Sequence, residues 1–251
     1  MPSMLFSRPF VPRGTNATKG MVIYMNQKIK IAIDGPSGSG KSTLAKRIAR
    51  ELGLVYVDTG ALYRAVGLYA KRAGADPNIS SQITTLLSKI QLSLRYTEDG
   101  QRVILNGEDV SELIRTSDVT VYASTVSAIP TVRKFLLEIQ KRMAGEGNVV
   151  MDGRDIGTVI MPDADVKLFL EASPAQRAHR RYLELLDRGE QVTEEEVLAA
   201  VVQRDKADSS REIAPAVPAE DAIFIDNSQL DEAQTLSKAL EIIGEKLRRL
   251  R

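Results

Sequence analysis

The stretch IAIDGPSGSGKSTLAKRIA, Ile31 to Ala49, runs from an apolar, β-branched segment through a glycine- and serine-rich turn into a helical pattern. Gly35-x-x-x-x-Gly40-Lys41-Ser42 lies at the join, and TLAKRIARELG continues as a helix that Gly53 closes. A P-loop needs this strand before it and this helix after it. Glycines let the backbone turn its N–H groups onto a β-phosphate, and the helix N-terminus adds partial positive charge. Gly35, Pro36, Ser37 and Gly38 form the expected phosphate turn, and Ser39, Gly40, Lys41, Ser42 and Thr43 its entry into the helix. Lys41 is expected between the β- and γ-oxygens of a nucleoside triphosphate, and the Ser42 hydroxyl on Mg²⁺.

Outward from this loop, short apolar runs recur with helical patterns between them: KIKIAID (28 to 34), LVYVD (54 to 58), NVVMD (148 to 152), VKLFL (166 to 170) and AIFID (222 to 226). Nearly continuous apolar runs of this length suit strands buried on both faces, hence a parallel sheet covered by helices. The expected fold class is α/β, with a parallel five-stranded sheet of the P-loop NTPase type. Four of the runs end in Asp, and in open parallel sheets ligands bind beyond the carboxyl ends of the strands. Asp34 and Asp152 are read either as organisers of Mg²⁺ waters or as structural strand ends.

About 90 residues separate the second and third runs, where a simple crossover unit takes about 30. The excess predicts an insertion. IQLSLRYTEDGQRVILNG alternates through Ile90, Leu92, Leu94 and Tyr96, turns at Asp99-Gly100 and resumes with Val103 and Leu105, a hairpin with one buried face. Ser111 and Asp118 read as helix caps, and Pro130 as the start of a helix that Gly145 and Gly147 stop. The domain expected over 28–251 has a core (28–80 and 145–251), an inserted α+β lobe (about 81–144) and a small lid (about 173–192).

The 251 residues contain no Cys and no Trp, and the one histidine, His179, excludes a His-rich metal site. Lys plus Arg (34) nearly balance Asp plus Glu (33), without the basic excess that nucleic-acid binding by charge neutralisation favours. Residues 1–27 carry Arg8, Arg13 and Lys19 with no acid, so the remainder is slightly acidic. That segment reads as a disordered extension or as a start placed ahead of Met21 or Met25, an organelle address being a third reading. No apolar run reaches signal-peptide or membrane-span length. A cytoplasmic monomer with no nucleic-acid or membrane partner is expected, and the Asn16-Ala-Thr18 sequon has no expected use.

A P-loop alone does not separate kinases from GTPases or motor ATPases. The guanine-reading Asn-Lys-x-Asp is absent, as is any Asp-x-x-Gly that would serve as a γ-phosphate switch. DTGALYR places Asp58, Thr59 and Arg64 after the second strand; VMDGRDIGT places Arg154 and Asp155 after the third; QRDKADSSR adds Arg204, Asp208 and Arg211. Thr59 is either a helix N-cap or a ligand contact. Arginines gathered with acidic residues suit a phosphorylated, hydroxyl-bearing second substrate.

Taken together, IDGPSGSGKST, DTGALYR, MDGRDIGTVIMPDA and RDKADSSREIAP resemble, in order and spacing, the bacterial cytidylate kinase family from about Lys28 to the C-terminus, long insert included. Departures are small: that family often has Ser where Thr59 stands and Leu where Ala216 follows Pro215. The resemblance implies phosphoryl transfer from ATP with Mg²⁺ to CMP and dCMP, and that the insert enlarges the nucleoside-monophosphate lobe. It further implies that Arg64, Arg154 and Arg211 hold the CMP phosphate with Thr59 assisting. Arg204 and Asp208 would meet the sugar hydroxyls, and Ser124, Arg133 and Asp155 the base. A carboxylate suits cytosine because the N4 amino group donates where uracil presents an acceptor. SPAQRAHRRYLELLDRG begins a helix capped by Ser173 with Pro174 at its first position; Arg177 and Arg181, four apart beside Arg180, read as catalytic lid arginines or as one solvated basic face.

Overall fold

In the computed structural model, residues 28–97 and 100–250 are described, so the 1–27 extension and Asp99 of the expected hairpin turn lie outside the described residues. The chain divides into two compact units, one of residues 28–56 and 146–250, the other of residues 57–145.

The first unit is built on a five-stranded sheet. Its strands are β1 (Lys30–Asp34), β2 (Val55–Asp58), which runs across the division, β6 (Val149–Gly153), β7 (Val166–Glu171) and β8 (Ile223–Asp226), in the order β2-β6-β1-β7-β8. β1 pairs in parallel with β6 (Ile33 opposite Asp152) and with β7 (Ile33 opposite Leu168), and β7 pairs in parallel with β8. The P-loop strand is therefore central, and Ile31, Ala32 and Ile33 are wholly buried. Burial on both faces is why the central β1 and β6 runs show no alternation, whereas the edge strand β8 leaves Phe224 half-exposed although its run is equally apolar.

Helix α1 (Lys41–Leu52) buries Leu44, Ala45, Ile48 and Ala49, and Gly53 ends it in the left-handed conformation. Helix α8 (Glu232–Arg249) starts on a reciprocal capping box between Asp231 and Gln234 and buries Leu236, Ala239, Ile243 and Leu247. Helix α6 (Pro174–Asp187) has the expected Ser173 cap, accepting from Gln176 N–H, with Pro174 first. It packs on α7 (Glu194–Ser209) through Ala178, Leu185, Val197 and Val201.

The second unit comprises helices α2 (Thr59–Arg72), α3 (Ser80–Leu87), α4 (Ser117–Val126) and α5 (Pro130–Gly145) with an antiparallel sheet β3 (Leu92–Thr97), β4 (Gly100–Leu105) and β5 (Glu108–Asp109). Leu92 faces Leu105 and Leu94 faces Val103, the register that the alternation implies. Leu62, Val66, Ile83, Leu105, Ile114 and Leu136 lie in one core. α2 joins this unit, which begins at Val57 and not at the expected residue 81. The cause is close packing: a Cβ on Gly67 would stand 2.9 Å from the backbone nitrogen of Ala123 in α4.

Two local expectations are corrected, at Ser111 and Asp118, and one open alternative, at Thr59, is narrowed. Ser111 caps no helix; its hydroxyl accepts from Val103 N–H at 2.8 Å and donates to Asp109 at 2.6 Å, holding the β4–β5 turn. Asp118 lies inside the first turn of α4, whose N-cap position is Thr116. Thr59 is the first residue of α2, and its cap is Asp58, which accepts from Ala61 N–H.

Candidate functional site: the P-loop and two arginine clusters

Gly35 follows the last residue of β1 at φ 144°, and a Cβ there would lie 2.0 Å from the Leu170 carbonyl oxygen. Only glycine lets the P-loop leave the sheet beside β7. Lys41 is buried and folds back over the loop, Nζ donating to the Pro36 carbonyl at 2.6 Å and facing Ser39 Oγ at 3.4 Å. Burial pulls the Lys41 ammonium well below the usual lysine range, the Arg154 charge adds to this, and Asp152 and Asp34 oppose it. Ser42 Oγ donates to Asp152 Oδ2 at 2.8 Å, and Tyr56 OH donates to Oδ1 at 2.8 Å. Thr43 is exposed at the start of α1.

Asp34 does structural work. Its two oxygens accept from Ile156 N–H at 2.8 Å and Gly157 N–H at 2.7 Å, pinning the turn after Asp155 to the end of β1. Burial raises its pKa to about 6 against those bonds.

In the same unit, Arg154 and Arg211 share one carboxylate. Arg154 Nε donates to Asp208 Oδ2 at 3.0 Å, and Arg211 Nη2 bonds Asp208 Oδ1. Burial pushes the Asp208 carboxyl up, but Arg154, Arg211 and Arg204 outweigh it and hold it below its ordinary range. Asp155 is buried beside Arg154, with φ −143° and ψ 28°, and its carbonyl accepts from Val159 and Ile160 in a single π-helical turn, Ile156–Ile160.

The lid arginines differ from one another. Arg177 is 3% exposed; it donates to the carbonyls of Ala172 (2.9 Å) and Ser37 (3.1 Å) and makes a fork with Asp205 at 3.1 and 2.6 Å. It thus ties α6 directly to the P-loop and to α7. Arg181 pairs with Glu184 at 3.0 Å near the surface, and His179 faces Glu194 at 2.9 Å, half-exposed.

The other unit carries the remaining candidates. Arg64 Nη2 donates to Asp58 Oδ2 at 2.7 Å, while Asp58 N–H donates to Gln101 Oε1 of the hairpin at 2.9 Å. Burial raises the Asp58 carboxyl, and Arg64 together with the Ala61 N–H and Arg115 more than reverses this, holding it below its usual value. The Nε of Arg64 is buried with no hydrogen-bond partner among the described residues. Arg133 is buried in α5, donating to the Ser127 carbonyl at 3.3 Å, with its guanidinium 5.7 Å from the Tyr63 ring centre. Ser124 is half-buried on α4.

Sequence reasoning missed Asp205, Gln101 and Tyr56 as partners. Asp205 was within reach, since Asp205 and Asp208 stand three apart on one helix and share a face. Gln101 had no local signal, because its partner lies 43 positions away.

A central P-loop strand, a lysine folded over that loop and arginines held on carboxylates fit the class of P-loop kinases, enzymes that transfer a phosphoryl group from a nucleotide. The cytidylate kinase family profile matches residues 31–245, and the chain belongs to that family. A cytidylate kinase from Carboxydothermus hydrogenoformans is 48% identical over 87% of this chain and 98% of its own length. One from Fervidobacterium nodosum is 49% identical over 87% and 98%, and one from Geobacter sp. strain M21 is 47% identical over 89% and 94%. A solved shikimate kinase from Bacteroides thetaiotaomicron aligns over 86% of this chain and 99% of its own at 14% identity, with a TM-score of 0.46. No helix among the described residues is long and apolar enough to cross a membrane.

Proposed function

We propose that the protein transfers the γ-phosphoryl group of ATP to the 5′-phosphate of CMP, and of dCMP, giving CDP or dCDP and ADP. The observation that carries this reading is the clamp of Arg154 and Arg211 on one buried carboxylate, in the compact unit that bears the P-loop. Two guanidinium groups oriented by Asp208 are ready to receive an acceptor phosphate without further ordering. Arg64, whose buried Nε–H has no partner among the described residues, is assigned to the acceptor phosphate on the strength of family membership. Thr59 assists at the phosphate, Arg204 and Asp208 meet the sugar, and Ser124, Arg133 and Asp155 read the base; family membership supports cytosine as that base.

The acceptor phosphate is already an anionic nucleophile, so no general base is required. One of its oxygens bonds the γ-phosphorus as the bond to the β–γ bridging oxygen breaks, and ADP leaves with that oxygen's negative charge. Lys41 follows the migrating charge, and Arg177 and Arg181 on α6 neutralise it and exclude water. Ser42 and Asp152 offer hard oxygen donors 2.8 Å apart, a set that suits Mg²⁺, which binds few protein ligands and keeps phosphate oxygens and waters. When bound, Mg²⁺ would neutralise charge on the β- and γ-oxygens. Among the described residues no cluster of three or more His, Cys, Asp or Glu competes as a metal site.

The test is ADP release with ATP and each of CMP, dCMP, UMP, AMP and GMP. Highest kcat/KM for CMP and dCMP is expected. Equal use of UMP, or hydrolysis indifferent to any acceptor, rejects the reading; the second outcome favours a nucleotide-dependent regulatory ATPase.

A further inference from the structure

The turn that follows β8 reaches back across the unit to the P-loop. Asn227 is 5% exposed, its own N–H donating to the Glu171 carbonyl at 2.9 Å at the end of β7. Its side-chain Nδ2 donates to the Ser39 carbonyl at 2.9 Å, a buried bond spanning 188 positions. Its Oδ1 accepts from Arg180 Nη1 at 3.3 Å, and its backbone carbonyl accepts from Arg180 Nη2 at 2.9 Å. The orientation of the amide follows from its partners, since a carbonyl accepts only from the NH₂ end and a guanidinium donates only to the oxygen.

The geometry points to Asn227 as the positioning residue of the nucleoside-triphosphate site, acting through the Ser39–Gly40 peptide and held in turn by Arg180 of α6. Across a planar trans peptide the carbonyl and the next N–H point opposite ways. Turning the Ser39 carbonyl toward Asn227 therefore turns the Gly40 N–H to the other side, where the P-loop reading places the phosphate oxygens of the triphosphate. Gly40 itself sits at φ 88° and ψ 11° as the N-cap of α1, with no side-chain cap bond. The bond to the Ser39 carbonyl comes from Asn227, a residue of another element. Arg180 is committed to the turn after β8, which separates its role from those of Arg177 and Arg181 and couples the lid helix to the shape of the P-loop.

The proposal rests on the reading of residues 35–43 as the ATP site, and not on CMP as acceptor. Titration of the full chain with MgATP alone, and separately with CMP alone, tests it on Asn227→Asp. The substitution keeps the acceptor for Arg180 but sets a carboxylate oxygen against the Ser39 carbonyl, two acceptors face to face. ATP Kd is expected to rise about tenfold or more, with CMP Kd within about twofold of wild type. A folded variant with unchanged ATP Kd, or with equal losses for ATP and CMP, overturns it. Should Asn227→Asp lose its cooperative melt, Asn227→Ala takes its place, with at least about a threefold loss of ATP affinity expected and none overturning the proposal. Arg180→Ala keeps the Ser39 bond and is expected to weaken ATP by less than Asn227→Asp; an equal loss would move the effect from the peptide to the arginine. A wild type that binds no ATP rejects this proposal and the P-loop reading together, whereas one that binds ATP without phosphorylating CMP rejects only the acceptor.

Discussion

Lys41 makes its nearest bond to its own loop, at the Pro36 carbonyl, and burial and Arg154 both work against its charge. An ammonium held this way is poised to leave a backbone carbonyl for a polyphosphate, which restores the charge that burial disfavours. Lys41→Ala is expected to lower kcat on the order of a hundredfold, about 3 kcal/mol of electrostatic stabilisation. The melting temperature should change little, because a desolvated charge is removed with the side chain; near-normal turnover would reject the P-loop assignment. Asp155 carries a second test. If its carboxylate accepts from the cytosine amino group, UMP faces it acceptor to acceptor, and discrimination against UMP should be at least about tenfold. Asp155→Ala should then drive the CMP-to-UMP ratio of kcat/KM toward one, mainly through loss on CMP. An unchanged ratio would show that Asp155 only braces its neighbour Arg154.

The elements show how much of this was legible and how much was not. Strand runs ending in Asp were plain, because buried parallel strands need apolar residues at every position. The hairpin was plain as well, since one buried face forces alternation. The caps expected at Ser111 and Asp118 are not formed, because several polar residues compete within three positions and only the final backbone path decides which of them stands at a helix start. The α2–α4 contact had no sequence signal except a glycine in mid-helix, which costs about 1 kcal/mol of propensity and needs a packing reason. Gly67 supplies that reason with its 2.9 Å approach to Ala123, so Gly67→Ala is expected to destabilise by about 1 to 3 kcal/mol. At about 2 to 4 °C per kcal/mol for a chain of this size, thermal unfolding would read a fall of several degrees. A gain in melting temperature, as a helix-propensity effect alone would give, contradicts the close contact.

At the scale of the whole molecule, Asp34 links stability to pH. Its carboxyl titrates at about 6 in the fold against 3.8 for the unperturbed group, so between those values the folded chain holds a proton that the unfolded chain has released. Its stabilising contribution is therefore full below about pH 4 and is lost as pH rises through 6, a swing of about 3 kcal/mol. Asp34→Asn carries no such proton, and urea unfolding should show its stability relative to wild type rising by that order between pH 4 and 6.5. Parallel pH curves for the two proteins would show that burial of Asp34 does not govern its charge. The amino-acid sequence by itself determined the α/β class and the P-loop, because those depend on local periodicity and on residues a few positions apart. Tertiary structure alone decided that Arg154 and Arg211 share Asp208, that Asp34 braces a turn 122 positions away, and that Asn227 bonds the Ser39 carbonyl of the P-loop. Those partners are chosen by proximity in a folded interior, where most buried donors find an acceptor and chain distance carries no information.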